Sequence, residues 1–396
     1  MIKHPDGIWS SGADTQGNAF ISETPATAVL KARKADGTAT TLFTYDETSD
    51  TITAAKSVFA IIKTYPVYDP RRYGAAGDDA TVDVTTAVQM AIDSGNTLFL
   101  PPNLKFGITH VTIAGHGYYS GSPGFRVHGG GWLRQVNGST QTMMSIDYVD
   151  DFQMFGVTLH GNKTGQTVAN YGIRATNSSF GKISSCLITS FSGTNVLIAA
   201  NPDVADEWNL VNNEIIFSGG FGVYLQDCGD LSLLANHINF NAASGLVLLR
   251  CYTSTAAANH ILTNHESGTL ITDSRSIVMT GNMIRENDRH GMALSGGPGG
   301  HVLSGNVVRW NSTSSQGGYD GINADAVPSL QILGNASNDF YALSFPYAPV
   351  NGRYNQRYGL YANNCPDIIT DGANRMSPNY TGSVNLTGTS AFVAGV

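Results

Sequence analysis

The chain has 396 residues, with 22 Lys and Arg against 30 Asp and Glu, and its formal net charge is −8. Only 13% of it is charged, against roughly 25% in ordinary soluble domains. No run of roughly 18 apolar residues offers a membrane span, a 41% hydrophobic share argues against wholesale disorder, and the acidic balance disfavours nucleic acid.

The first 65 residues read as a small β meander. Val29-Leu-Lys-Ala-Arg, Thr40-Thr-Leu-Phe-Thr-Tyr and Thr51-Ile-Thr-Ala are short strands, split by turns at Asp36-Gly and Asp46–Asp50. Residues 1–67 are too few for a substantial core, so they are expected to serve as a neck that trimerises or attaches the chain. The start of the chain lacks the apolar stretch of a signal peptide, which leads to the expectation of synthesis in a cytosol.

Next comes Arg71-Arg-Tyr-Gly-Ala-Ala-Gly-Asp-Asp79, followed by a helical pattern over 83–94 and by Thr97-Leu-Phe-Leu-Pro-Pro102. Asp83 is placed to cap the helix, and Val84, Ala87, Val88, Ala91 and Ile92 form one apolar face. Gly95 is placed to end the helix in a left-handed conformation. Such a helix can cover the open apolar end of a stack of coils.

From residue 170 to 360 the sequence repeats. Strands led by Gly222, Gly245, Gly268 and Gly291 recur every 23 residues, and Gly321 and Gly359 follow at 30 and 38. Asn213, Asn236, Asn259, Asn282 and Asn306 keep the same phase, as do Asn241, Asn264, Asn287 and Asn311. This predicts an all-β chain, a single-stranded parallel β-helix of about 23 residues per coil. Successive coils stack at about 4.8 Å, and buried Asn amides bond along the stack as ladders. The low charge and the frequent Gly and Asn then follow from tight coil corners and ladders. The equivalent Cys228 and Cys251 are expected as stacked buried thiols; four cysteines make no disulfide framework and no zinc motif. The solenoid is expected over 68–375, with 376–396 as a tail.

The Gly74-x-x-Gly-Asp stretch, the short helix and the strand ending in Pro101-Pro102 resemble the opening of the pectate-lyase-superfamily β-helix domain. That domain forms the body of many bacteriophage tailspikes. The resemblance implies a right-handed helix and a homotrimer on the phage tail or baseplate, attached through the N-terminus. It also implies binding and cleavage of a bacterial surface polysaccharide, in the virion; the family's calcium pattern of clustered Asp is not clear in these residues, and no cofactor or metal is expected.

Phase assigns the outward chemistry. Ahead of the Gly-led strands, successive coils present Ser244, Ser267, His290, Asp320 and Tyr358. One position earlier stand Ala243, Glu266, Arg289, Tyr319 and Arg357, and one earlier again Ala242, His265 and Asp288. Glu266, Asp288 and Asp320 should lie within one or two coil spacings, roughly 5–10 Å, which spans the carboxylate separations of glycoside hydrolysis. His290 is a candidate to tune them, and Arg289 to hold an acidic sugar. Tyr319 and an aromatic loop with Tyr341, Tyr347 and Tyr354 offer faces for sugar C–H groups. The plainer alternatives are a loop packed on its own coil and a surface ion pair between Glu266 and Arg289.

A rival edge holds Glu207, Asp227 and Asp230 beside Trp208, residues that at coil corners also serve as ordinary turn formers. Glu214, His237 and His260 stack outward without a fourth ligand and read as a solvated face. The polygalacturonase pattern of paired Asp is only echoed, by His290-Gly291 and Asp320-Gly321. Hydrolysis is favoured over elimination because carboxylates outnumber candidate bases; the alternative is a non-catalytic carbohydrate-binding adhesin.

Overall fold

The computed structural model describes residues 65–117, 123–199, 207–339, 356–371, 373–377 and 379–388, together with the strands at 2–3, 9–10, 19–24, 27–33, 39–46, 51–54 and 392–394. The chain divides into Met1–Val67 and Tyr68–Val396. In the first unit, Ala19–Thr24, Thr27–Arg33, Ala39–Asp46 and Thr51–Ala54 form a four-stranded antiparallel sheet in chain order.

The second unit is a parallel β-helix of three sheets with 11, 12 and 11 strands. One coil shows the plan: Val223–Gln226 lies in sheet I, Ser232–Leu234 in sheet II and His237–Asn239 in sheet III. Inward positions are apolar and buried, and outward ones polar or half-exposed, as the strand period of two requires.

The 23-residue step holds in the central coils, where Val223 pairs with Leu246, Leu246 with Thr269 and Thr269 with Met292. It lengthens on the N-terminal side, to 33 from Val111 to Met144 and 29 from Met144 to Ile173. Toward the C-terminus it reaches 30 from Met292 to Ile322 and 38 from Ile322 to Leu360. Gly382–Thr387 and Phe392–Ala394 continue sheets I and II, so these sheets extend past residue 375 into the expected tail.

Both Asn ladders form. The Asn259 amide NH2 donates to Asn282 Oδ1 at 2.9 Å and to the Leu233 carbonyl at 2.8 Å. Its Oδ1 accepts the Asn236 backbone N–H at 2.9 Å and side-chain N–H at 3.0 Å. Every polar group of that buried side chain is therefore used, which removes the penalty of burying an amide. The first ladder runs beyond Asn306 to Asn335 and Asn374. The second runs from Asn241 through Asn311 to Gln356 and Asn379.

From Asn213 to Asn335 in the first ladder and from Asn241 to Asn311 in the second, each Asn follows a corner residue with positive φ, such as Ala235 (54°) and Phe240 (57°). Such a conformation costs a non-glycine residue about 1–2 kcal/mol, and the ladder bonds offset it. The strand-leading glycines are not at these corners. A Cβ on Gly245 would lie 2.7 Å from Asn264 Nδ2 and 2.7 Å from Ile261 Cγ2, so this glycine is required for close approach beneath the ladder. Cys228 and Cys251 are buried free thiols, as expected.

The capping helix, α1, spans Thr85–Asp93 and buries Ala87, Val88, Ala91 and Ile92 against the first coil. It starts later than expected: Asp83 ends a strand, and its carboxylate accepts the Thr85 N–H at 2.9 Å from outside the helix. The cap residue at the far end is Ser94, in the right-handed region, and Gly95 has no left-handed φ. Gln89 closes the open edge of sheet I, donating to Thr112 O and accepting from Thr112 N, both at 2.9 Å.

Replacing Asn259 with Ala should destabilise the solenoid by about 3–5 kcal/mol, because it strips partners from Asn236, Asn282 and Leu233. His260→Ala, on the outer face of the same coil, should cost about 0.5 kcal/mol or less. Denaturant midpoints and unfolding rates of the two variants check this.

Candidate active site

The turn from sheet III to sheet I sets the site. It is six residues long in five consecutive coils, at 190–195, 217–222, 240–245, 263–268 and 286–291. On either side it lengthens to twelve, at 161–172 and 310–321. Short turns between two taller ones make a saddle across the solenoid.

The backbone bonds confirm the expected columns on its floor. Arg289 N donates to Glu266 O at 3.0 Å, and Gly268 N to His290 O at 2.9 Å. Glu266 and Asp288 therefore occupy diagonal positions on neighbouring coils, about 6 Å apart at the backbone from strand spacing and rise.

Glu266 Oε2 accepts the Ser244 hydroxyl at 3.3 Å, and Oε1 lies 3.4 Å from Arg289 Nη1. Asp288 Oδ2 is 3.0 Å from His265 Nδ1, and Oδ1 accepts the Thr313 hydroxyl from the taller turn. Both carboxylates are about one-third exposed, at 32% and 30%, and Arg289 and His265 are more open still.

Asp320 is different. Its carboxylate is fully buried and holds Arg357 in a bidentate pair at 2.9 and 2.7 Å, and it also accepts from Asn323 at 3.1 Å and Tyr358 N at 3.3 Å. Four donors converge on it, and through them it ties the turn to Arg357 and Tyr358. His290 stands 3.6 Å from it, and its Nδ1 accepts the Asp320 backbone N–H at 3.0 Å. Burial pulls the His290 pKa down to about 4, and Asp320 only partly opposes this. The ring is therefore neutral, and Tyr319 packs on it edge-on at 5.1 Å. Arg357 spreads over Tyr361 at 4.7 Å. Tyr341, Tyr347 and Tyr354 lie outside the described residues.

Sequence reading missed the aromatic part of the floor. Phe217 and Phe240 stack at 5.1 Å and 13°, with 47% and 46% exposure. Their 23-residue spacing is the signal that could have found them.

The rival edge is built otherwise. Trp208 is fully buried, donates its indole N–H to Ser178 O at 2.9 Å and packs on Phe152. It has no face for a sugar. Glu207 and Asp230 are exposed corner residues at positive φ, which is the turn-forming role. Asp227 is held by Arg250 at 2.6 and 2.8 Å, and these bonds lower its pKa. His237 and His260 stack at 4.7 Å; no cluster of three metal-ligating side chains occurs among the described residues.

Residues 107–338 match the family model described as right handed beta helix region. No curated protein matches the chain. Among solved structures, the A-module of a mannuronan C-5 epimerase from Azotobacter vinelandii is 16% identical with a TM-score of 0.55, covering 83% of this chain and 97% of that one. The enzymatically active domain of tailspike protein 2 from bacteriophage CBA120 is 12% identical with a TM-score of 0.52, covering 95% and 60%. Gene product 12 of bacteriophage phi29 is 13% identical with a TM-score of 0.57, covering 77% and 45%. At such identities the likeness is one of fold.

Two predictions follow from buried groups. Asp320→Asn and Arg357→Met should each lower stability by about 3 kcal/mol, because each leaves half of a buried pair; thermal melts read this. His290 and the buried His301 both have pKa values lowered by burial to about 4. The unfolded chain protonates near 6.5 and the folded chain does not, so their contribution is complete above about 6.5 and lost as pH falls toward 4. Melting points from pH about 7 to about 4.5 should fall, and His301→Asn should flatten the slope.

Proposed function

This chain belongs to the right-handed β-helix family, and from that premise we propose that it is a tailspike-like enzyme that binds and cleaves a bacterial surface polysaccharide by glycoside hydrolysis. The observation that carries this is the saddle, whose floor holds two carboxylates on adjacent coils, each about one-third exposed, and a stacked aromatic pair. Pyranose C–H faces pack on Phe217 and Phe240, and the sugar chain runs across the floor between the two taller turns.

Hydrolysis needs one carboxyl to protonate the leaving oxygen and one carboxylate to attack or to activate water. Asp288, fixed by Thr313 and His265, takes the second part; Glu266, steadied by Ser244, takes the first. Arg289 is half exposed beside Glu266 and suits an acidic substituent on the glycan. Neighbours with tailspike and phage titles support a virion location. The homotrimer is supported by an outward apolar column on sheet I, Leu197, Tyr224, Val247 and Leu270. The N-terminal 67 residues would provide attachment to the phage tail.

A second reading, a non-catalytic adhesin, draws on the fact that Glu266 and Asp288 are each already engaged by a basic side chain. Incubation with purified capsule, lipopolysaccharide and exopolysaccharide decides between them: shortened chains are expected, and intact bound chains would select the adhesin. New ultraviolet absorbance from an unsaturated uronate would select elimination over hydrolysis. Glu266→Gln and Asp288→Asn should each lower turnover about a hundredfold or more with melting points kept, whereas Glu207→Gln should stay within about twofold.

A further inference from the structure

Sheet II lies across the coil section from the saddle, and its outer face at the N-terminal end carries a second aromatic row. Phe99, His128 and Phe155 occupy one outward column on three successive coils. Their rings lie 5.3 Å apart in each step, with the His128–Phe155 pair parallel to within 12°. Tyr68 extends the row, edge-on to Phe99 at 6.5 Å. Phe155 is 44% and Tyr68 38% exposed. Beyond Phe155 the column drops to Ser184, which opens a pocket of about 360 Å³ lined by Gln153, Phe155, Lys182, Ser184 and Ser185 among others.

A polar column runs beside the rings: Arg126 and Gln153 on the coils of His128 and Phe155, and Lys182 one coil beyond, on that of Ser184. Arg126 and Lys182 are exposed, and among the described residues neither joins an ion pair. The nearby Asp151 is taken by the Gln153 amide at 2.8 Å. His128 is kept neutral by burial and, secondarily, by Arg126, so the row stays an uncharged aromatic floor beside a cationic rail. On a chain with net charge −8, two exposed cations outside any of the ion pairs stand along the ring row, with Asp151 as the nearby carboxylate.

We propose that this face is a second glycan-binding surface, which holds a stretch of acidic polysaccharide along the exposed edges of the ring row, with its carboxylates toward Arg126 and Lys182. The row advances by one coil, about 4.8 Å, per step, so the sugar chain runs parallel to the solenoid axis. The inference rests on the proposed function for the polysaccharide class and concerns a face remote from the carboxylates. Such a surface would retain the polymer between cleavage events at the saddle.

The test uses the full chain carrying Glu266→Gln and Phe240→Ala, so that the saddle is silenced. It is titrated by calorimetry with hexagalacturonate, with an alginate hexamer and with uncharged cellohexaose. The acidic oligomers should bind, more weakly as salt rises. Phe155→Ala, and separately the pair Arg126→Gln and Lys182→Gln, should each weaken binding about tenfold or more. Melting points should be kept. Failure of both acidic oligomers to bind, equal binding of cellohexaose, or unchanged affinity in Phe155→Ala would overturn the inference. So would a change of oligomeric mass on that substitution, which would make the face an interface between copies. Cleavage is scored separately on the unsubstituted chain. Binding here without cleavage anywhere refutes the proposed function alone, and cleavage without Phe155-dependent binding refutes this inference alone.

Discussion

The amide stack inside the corners is the constraint on which the rest of the molecule depends. An interior ladder Asn such as Asn259 makes four hydrogen bonds, all to the two adjacent coils, so register is fixed at two corners of the coils that the ladders join. With register fixed, residues on successive coils form columns, and a column is what brings Glu266 and Asp288, 22 positions apart in sequence, onto one floor. The same stack tolerates left-handed corners at residues such as Ala235 and Phe240, whose backbone strain is offset locally.

Because the ladders hold the corners, insertions are absorbed in turns without disturbing the sheets. The first ladder steps from Asn306 to Asn335 and then to Asn374, across 29 and 39 residues, and keeps its bonds. The long turns are therefore free to build the two walls of the saddle. Asp320 and Arg357 show the cost of one such wall: a buried ion pair, with a neutral His290 packed beside it, holds the longer turn in shape. A carboxylate that phase alone put among the catalytic candidates is thus engaged by the side chains of the wall itself.

The coils were legible in the sequence because independent markers, Gly and Asn, kept one 23-residue phase from Gly222 to Gly291. Legibility faded where the phase broke. Gln356 carries the second ladder onward but is neither Asn nor in phase with Asn311, and nothing local marks it. The Glu266 and Asp288 columns could be read, since phase predicts who stacks on whom. Burial could not: Trp208 beside the acidic residues of the rival edge fills the core beneath Gly181, while Phe217 and Phe240, which sequence reading passed over, face solvent. Corner residues point outward or inward according to φ, which the apolar pattern does not encode.

The central claim is that a saccharide lies across the saddle with its scissile bond between Glu266 and Asp288. The most direct measurement is a crystal structure of the Asp288→Asn chain with a fragment of the polysaccharide it cleaves. The account predicts sugar rings stacked on Phe217 and Phe240, with a glycosidic oxygen in hydrogen-bond reach of the Glu266 carboxyl. A fragment seated at the Glu207 and Asp230 corner, with the saddle bare, would contradict it.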